Sequence, residues 1–356
     1  MIAFLKRRLD HIRGSGEAAV TVPSLDGALR PNQLLDRAEA VREVRAPDVL
    51  AVAGERVLYA AGPAVHALDG TEVHRFDSDV SALAAGPEEV LAVGLNDGGV
   101  RIVGGPHAGG VPGGPYPCPT ALLFDGAGTL WIANGSQDRA PDHWKHDLMS
   151  RGASGSVWRV DLAGGKAERV MDALAWPFGL GLSPQGLILT EAWRHRVSLR
   201  CPDGSVTYPL ADLPGYPARI APSGDGGWWL AVFAPRNQLT EFILREPAFR
   251  ARMMAEIDPA FWAAPALEAT DSFMRPLQGG AQKHLGVVKP WAPTQSYGLV
   301  IRLDEKLHPL FSQHSRADGR RHGITSVVEA GGRVYAASKG GDVILALDMT
   351  KGRAGV

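Results

Sequence analysis

A strand-turn-strand unit recurs six times along this chain, and that repetition limits its fold more than any bulk property does. Each copy opens with a short apolar strand, turns at Gly or Asp, and continues into a second strand that ends in small residues. A third strand of alternating apolar and polar residues follows. The first copy reads Val49-Leu50-Ala51-Val52, Gly54-Glu55, Val57-Leu58-Tyr59-Ala60-Ala61, then Ala64-Val65-His66-Ala67-Leu68. Later copies begin at Ser81, Thr120, Gly179, Ala218 and Ile324. One such unit cannot bury its own apolar faces, so the copies must pack against one another. Short strands at near-regular spacing, divided by Gly and Asp turns, predict all-β structure. Six copies predict a six-bladed β-propeller rather than a sandwich. The sixth copy runs short of residues for an outer strand. Residues 40–44 (Ala-Val-Arg-Glu-Val) are expected to supply it, closing the ring and leaving no open sheet edge of consequence.

Two insertions interrupt the pattern, at residues 136–154 and 237–294. In the second, Leu239, Phe242, Ile243, Phe249, Met253, Met254 and Ile257 fall near one helical face, and five prolines punctuate the stretch from Pro259 to Pro293. It is read as a partly helical lid over one mouth of the channel. The expected organisation is an N-terminal extension at 1–37 and one propeller at 38–356.

The 356 residues carry a formal net charge of -1, which removes the basic footprint of a nucleic-acid binder. Hydrophobic residues make up 45%, enough for a packed core. Cys118 and Cys201 are too few for a disulfide framework and lack metal-ligand spacing, so both are expected to be reduced thiols. Lys6-Arg7-Arg8 follow the short apolar start, the reverse of a secretory signal. No apolar run approaches the ~20 residues of a membrane span. Ile2, Leu5, Leu9 and Ile12 share a helical face, expected to dock on the propeller; peripheral membrane contact is the alternative. A cytoplasmic location is expected.

The inner strand of each blade lines the channel, so side chains converge near the repeat starts. Those positions hold Asp48, Asn134 (at the end of a second strand), Phe178, Arg219 and Glu329. Charges along a channel are costly unless paired or met by a ligand. The run Trp176-Pro177-Phe178-Gly179-Leu180-Gly181-Leu182-Ser183-Pro184 resembles the strictosidine synthase-like family, as do Thr190-Glu191-Ala192, the stretch from Leu213 to Ile220, Gly226-Gly227-Trp228-Trp229 and the stretch from Ser326 to Tyr335. That family is more distantly similar to paraoxonases and gluconolactonases.

The resemblance implies a channel-mouth site for a small molecule. Metal-binding relatives hold calcium on the axis through carboxylate and amide oxygens. Asp48 and Asn134 match two such positions here, while Phe178 and Ala218-Arg219 replace others. No cofactor is therefore expected; were calcium bound, Asp48 and Asn134 would be its ligands. Arg219 is read as the fixed positive charge in its place, pairing with Asp48 or Glu329 or forking onto a substrate carboxylate. Glu329 matches the acid/base glutamate of strictosidine synthases. His322 is a further candidate base, and Glu191, Trp193, Trp144 and Phe242 are candidate pocket residues. His143 and His146 lack a third ligand for zinc, and no Gly-x-Ser-x-Gly elbow is present. The reaction expected is hydrolysis of an ester or lactone, with Glu329 as base, Asn134 polarising the carbonyl and Arg219 orienting an anionic group. The alternatives are amine–aldehyde condensation of the Pictet–Spengler type, and a non-catalytic propeller that binds an organic ligand or a protein.

Overall fold

The computed structural model describes residues 22–269 and 295–349, together with the paired strands Lys283–His284 and Val287–Val288. The expected N-terminal helix and the end of the second insertion lie outside the described residues. Six four-stranded antiparallel sheets form the ring. Blade 1 comprises Leu50–Ala53, Arg56–Ala61, Ala64–Ala67 and Glu72–Arg75. Blade 2 holds Val80–Ala85, Leu91–Leu95, Val100–Val103 and Gly109–Gly110. Blade 3 holds Pro119–Asp125, Thr129–Asn134, Gly155–Asp161 and Lys166–Leu174. Blade 4 holds Pro177–Ser183, Gly186–Glu191, Arg196–Arg200 and Val206–Leu210. Blade 5 holds Gly215–Pro222, Trp228–Pro235, Gly298–Leu303 and Pro309–Ser315. Blade 6 is built from Ile324–Ala330, Arg333–Ser338 and Val343–Leu347, and Glu39–Glu43 pairs with the last of these as the outer strand. The expected ring closure is therefore present.

Burial follows position in the blade. Trp228–Pro235 is buried at every residue, because neighbouring blades cover both of its faces. Outer strands such as Glu72–Arg75 are mostly exposed. This explains why second strands read as continuous apolar runs while outer ones do not. The outer edge of blade 5 is covered by residues 27–37. Asn32 imitates a strand there: its Nδ2 donates to Ser312 O at 2.9 Å and its Oδ1 accepts from His314 N at 3.0 Å.

The first insertion forms helix α1 (Trp144–Ser150); the second begins with α2 (Gln238–Ile243) and α3 (Pro247–Glu256). The expected single apolar face is divided, because Pro247 starts a new helix rather than extending α2. Ile243 and Met253 are buried, whereas Leu239, Phe242, Phe249 and Ile257 are 40–53% exposed. Arg236 anchors the root of the insertion, donating to Asp212 Oδ1 at 2.6 Å and Glu241 Oε1 at 3.2 Å. Among the described residues no helix is long and apolar enough to cross a membrane.

Candidate functional site

The inner strands all start at the same mouth of the channel, and each blade places one residue there: Asp48, Ser81, Thr120, Phe178, Arg219 and Thr325. In blades 2 to 6 the pairing of the inner strand with its neighbour is irregular at this residue. Such a bulge frees the residue from the ladder and re-aims it. Five repeats of one local distortion thus build the channel floor. Above it lies a cavity of about 220 Å³. Trp144, Trp176, Phe178 and Phe233 form an aromatic wall, and Leu267 with Pro141 and Asp142 comes from the two insertions. Both insertions therefore cover this mouth, as a lid should.

Arg219 lies across the channel, its side chain 8% exposed. Nη1 donates to Asp48 Oδ1 at 2.9 Å, Thr325 O at 3.2 Å and Asp48 O at 3.3 Å; Nη2 donates to Ser81 O at 2.6 Å. The guanidinium sits 4.9 Å from the centre of the Phe178 ring. Asp48 is held from its other side by Lys339 Nζ, 2.5 Å from Oδ2. Burial alone would raise the Asp48 pKa, but the Lys339 and Arg219 charges more than offset it and hold the carboxyl at about 2. Asp48 is thus a fixed anion and a weak base.

The sequence candidates separate into two groups. Asp48, Arg219, Phe178 and Trp144 line the mouth cavity. Asn134 does not: its Oδ1 accepts from Cys118 N and its Nδ2 donates to Ser136 O, both at 2.8 Å. Glu191 ends the equivalent strand of blade 4 and is likewise committed, accepting from Ala175 N, Arg194 and Arg196. Trp193 backs the wall, stacking on Trp176 at 5.2 Å and donating to Asp147 Oδ1 at 2.8 Å. His322 is buried between Ser296 Oγ and Arg316 O, each 2.8 Å from a ring nitrogen, and burial lowers its pKa. Phe242 lies on the exposed face of α2, away from the cavity.

Glu329 occupies the far part of the channel. There a second cavity of about 470 Å³ is lined by the later residues of the inner strands, and Arg219 borders both cavities. Glu329 Oε2 accepts from Ser223 Oγ and Trp229 Nε1, each at 2.8 Å. The expected grouping of Glu329 with Asp48 and Asn134 is therefore corrected: the three residues have separate surroundings. Lys339 was not among the candidates, yet it lines the mouth cavity. It opens the 3₁₀ turn Lys339–Gly341, the counterpart of Ala192–Arg194 in blade 4. Aligning those two repeats would have exposed it.

A hard divalent cation does not fit this arrangement. The Arg219 guanidinium already lies among the oxygens such an ion would need, and the Asn134 amide is turned to backbone partners. Among the described residues no group of three or more His, Cys, Asp and Glu could hold a metal; His143 and His146 meet edge to face, and His146 also packs on Trp262.

Six sheets around one axis, with a covered cavity at one mouth, define a six-bladed β-propeller with the architecture of gluconolactonases and regucalcin. A gluconolactonase from Xanthomonas campestris superposes with TM-score 0.54, covering 92% of this chain and 94% of that one at 15% identity. The calcium-binding protein regucalcin from Agrobacterium tumefaciens gives TM-score 0.53 at 11% identity, covering 87% and 92%. In sequence the chain resembles the strictosidine synthase-like proteins: it is 30% identical over 95 residues to Arabidopsis thaliana strictosidine synthase-like 8. That match spans a quarter of this chain and a quarter of the plant protein. No protein-family profile matches the chain.

Proposed function

We propose that this propeller is a strictosidine synthase-like small-molecule enzyme that hydrolyses an ester or lactone in the mouth cavity. The observation that carries the reading is the cavity itself: an aromatic wall faces two cations, Arg219 and Lys339, that share the single anion Asp48. Attack on an ester carbonyl builds negative charge on oxygen, and a fixed cation in a covered site stabilises that charge. Lys339, with its side chain 32% exposed, is the cation open to a ligand, whereas Arg219 is spent on the channel floor. Asp79 and Asp142 at the cavity edge are the carboxylates able to activate water, since both Asp48 oxygens are taken by Arg219 and Lys339 and its lowered pKa makes it a poor proton acceptor. The resemblance to a gluconolactonase fold agrees with this chemistry.

A panel of esters and lactones tests it. Turnover that persists in chelator and falls in Lys339→Met supports the reading. No turnover of any member, alongside saturable ligand binding, supports the second reading, a propeller that binds without reacting. That reading is favoured by one observation: Asn134 and Glu329, the groups expected to perform hydrolysis, do not line this cavity. The same panel run with amine and aldehyde pairs covers the condensation reading.

A further inference from the structure

We propose that the Arg219 guanidinium is the resident axial cation of this propeller, filling an oxygen-lined position that a hard divalent ion would otherwise accept. The position is defined by four oxygens from three blades. Asp48 Oδ1, Asp48 O, Ser81 O and Thr325 O all lie within hydrogen-bond distance of the one guanidinium. A carboxylate and a set of backbone carbonyls are the donors that hard cations prefer.

The carbonyls face inward for a reason rooted in the strands. Ser81 and Thr325 sit at the ladder irregularities of blades 2 and 6, where regular pairing is lost. Buried carbonyls outside a ladder need donors. At the other irregularities, hydroxyls supply them: Ser81 Oγ donates to Pro119 O at 2.7 Å, Thr120 Oγ1 to Pro177 O at 2.5 Å and Thr190 Oγ1 to Ala218 O at 2.8 Å. Ser81 O and Thr325 O are served by Arg219. One side chain from blade 5 thus ties blades 1, 2 and 6 together and rests on Phe178 of blade 4. It does the cross-linking of a metal ion with a charge that no chelator removes.

Two consequences follow. The native ring is indifferent to divalent ions. Deleting the guanidinium leaves Asp48 Oδ1 and the inward-facing carbonyls around an open space, with Lys339 still on Asp48 Oδ2, so the calcium site it creates from the chain's own oxygens is a weak one.

The test is thermal unfolding of the full chain and its variants in millimolar calcium and in chelator. The native protein is expected to melt at the same temperature in both. Arg219→Ala should melt roughly 10 °C lower in chelator, and calcium should restore part of that loss by mass action. Arg219→Ala combined with Asp48→Asn should show no restoration. Should Arg219→Ala fail to fold, Arg219→Gln replaces it, since its amide oxygen leaves the site open to calcium. A native protein destabilised by chelator overturns the proposal, as does an Arg219 variant that calcium does not stabilise.

Discussion

The carbonyl oxygen of Leu267 lies against Gly340, so closely that a side-chain carbon at that glycine would overlap it. Gly323, at φ +64°, forms the other half of the seat, with Leu267 O 2.7 Å from where its Cβ would be. Gly340 directly follows Lys339, so the lid segment rests on the turn that presents the more exposed cation of the site. Gly340→Ala should therefore lift residues 262–268 and shift Lys339 together. We expect a stability loss of about 1–3 kcal/mol. Faster amide exchange across 262–268 and a rise in ligand Kd are the measurements that check it.

Asp48→Asn should leave Arg219 and Lys339 without their shared anion and cost roughly 3 kcal/mol at neutral pH. The native carboxyl has its pKa lowered from 3.8 to about 2. Its ionised form is favoured by folding, so this contribution, about 2 kcal/mol, is complete above pH 4. It disappears as pH falls through 2. Denaturant unfolding at pH 7 and pH 3 should show the native protein losing stability with acid and Asp48→Asn losing less.

Lys339→Met keeps the Arg219–Asp48 pair and removes the cation open to ligand. Turnover of a responsive ester or lactone should fall roughly 10- to 100-fold. Circular dichroism should remain native, with stability lower by about 1 kcal/mol because Asp48 keeps only one of its two partners. Unchanged kinetics would remove Lys339 from the mechanism.

Glu329→Gln separates the two cavities functionally. Its carboxylate accepts two hydrogen bonds, from Ser223 and Trp229, and the amide retains an acceptor. Stability should drop by about 1 kcal/mol, with turnover at the opposite mouth unaffected. Loss of activity in a folded Glu329→Gln protein would move the reaction to the far cavity.

The repeat pattern made the blades readable, and the missing strand of the sixth copy pointed to residues 40–44 by elimination. Arg219 was readable as a channel charge in need of an anion, with Asp48, Glu329 and a substrate carboxylate all open as its partner; the structure selects Asp48. The position of Glu329 along the channel was not. It lies four residues beyond Thr325 on one strand, or about 13 Å at ~3.3 Å per residue. Both residues belong to the channel, but to different ends of it. Asn134 misled for another reason: at the end of its second strand the amide is committed to the neighbouring backbone of Cys118 and Ser136. Hydrophobic patterning carries no mark for a bulge, so the distortions that aim Ser81, Thr120, Phe178 and Arg219 were hidden.

The pairing of Glu39–Glu43 with Val343–Leu347 gives the molecule a clasp whose two halves are roughly 300 residues apart along the chain. During synthesis the early half must wait, unpaired, until the late half emerges, and the circle stays open for that whole interval. Closure over so long a loop is entropically slow to find but only modestly costlier than a shorter one. Joining the two strands by a short linker and cutting the chain between two other blades should therefore yield a ring that closes earlier and keeps its mouth cavity intact.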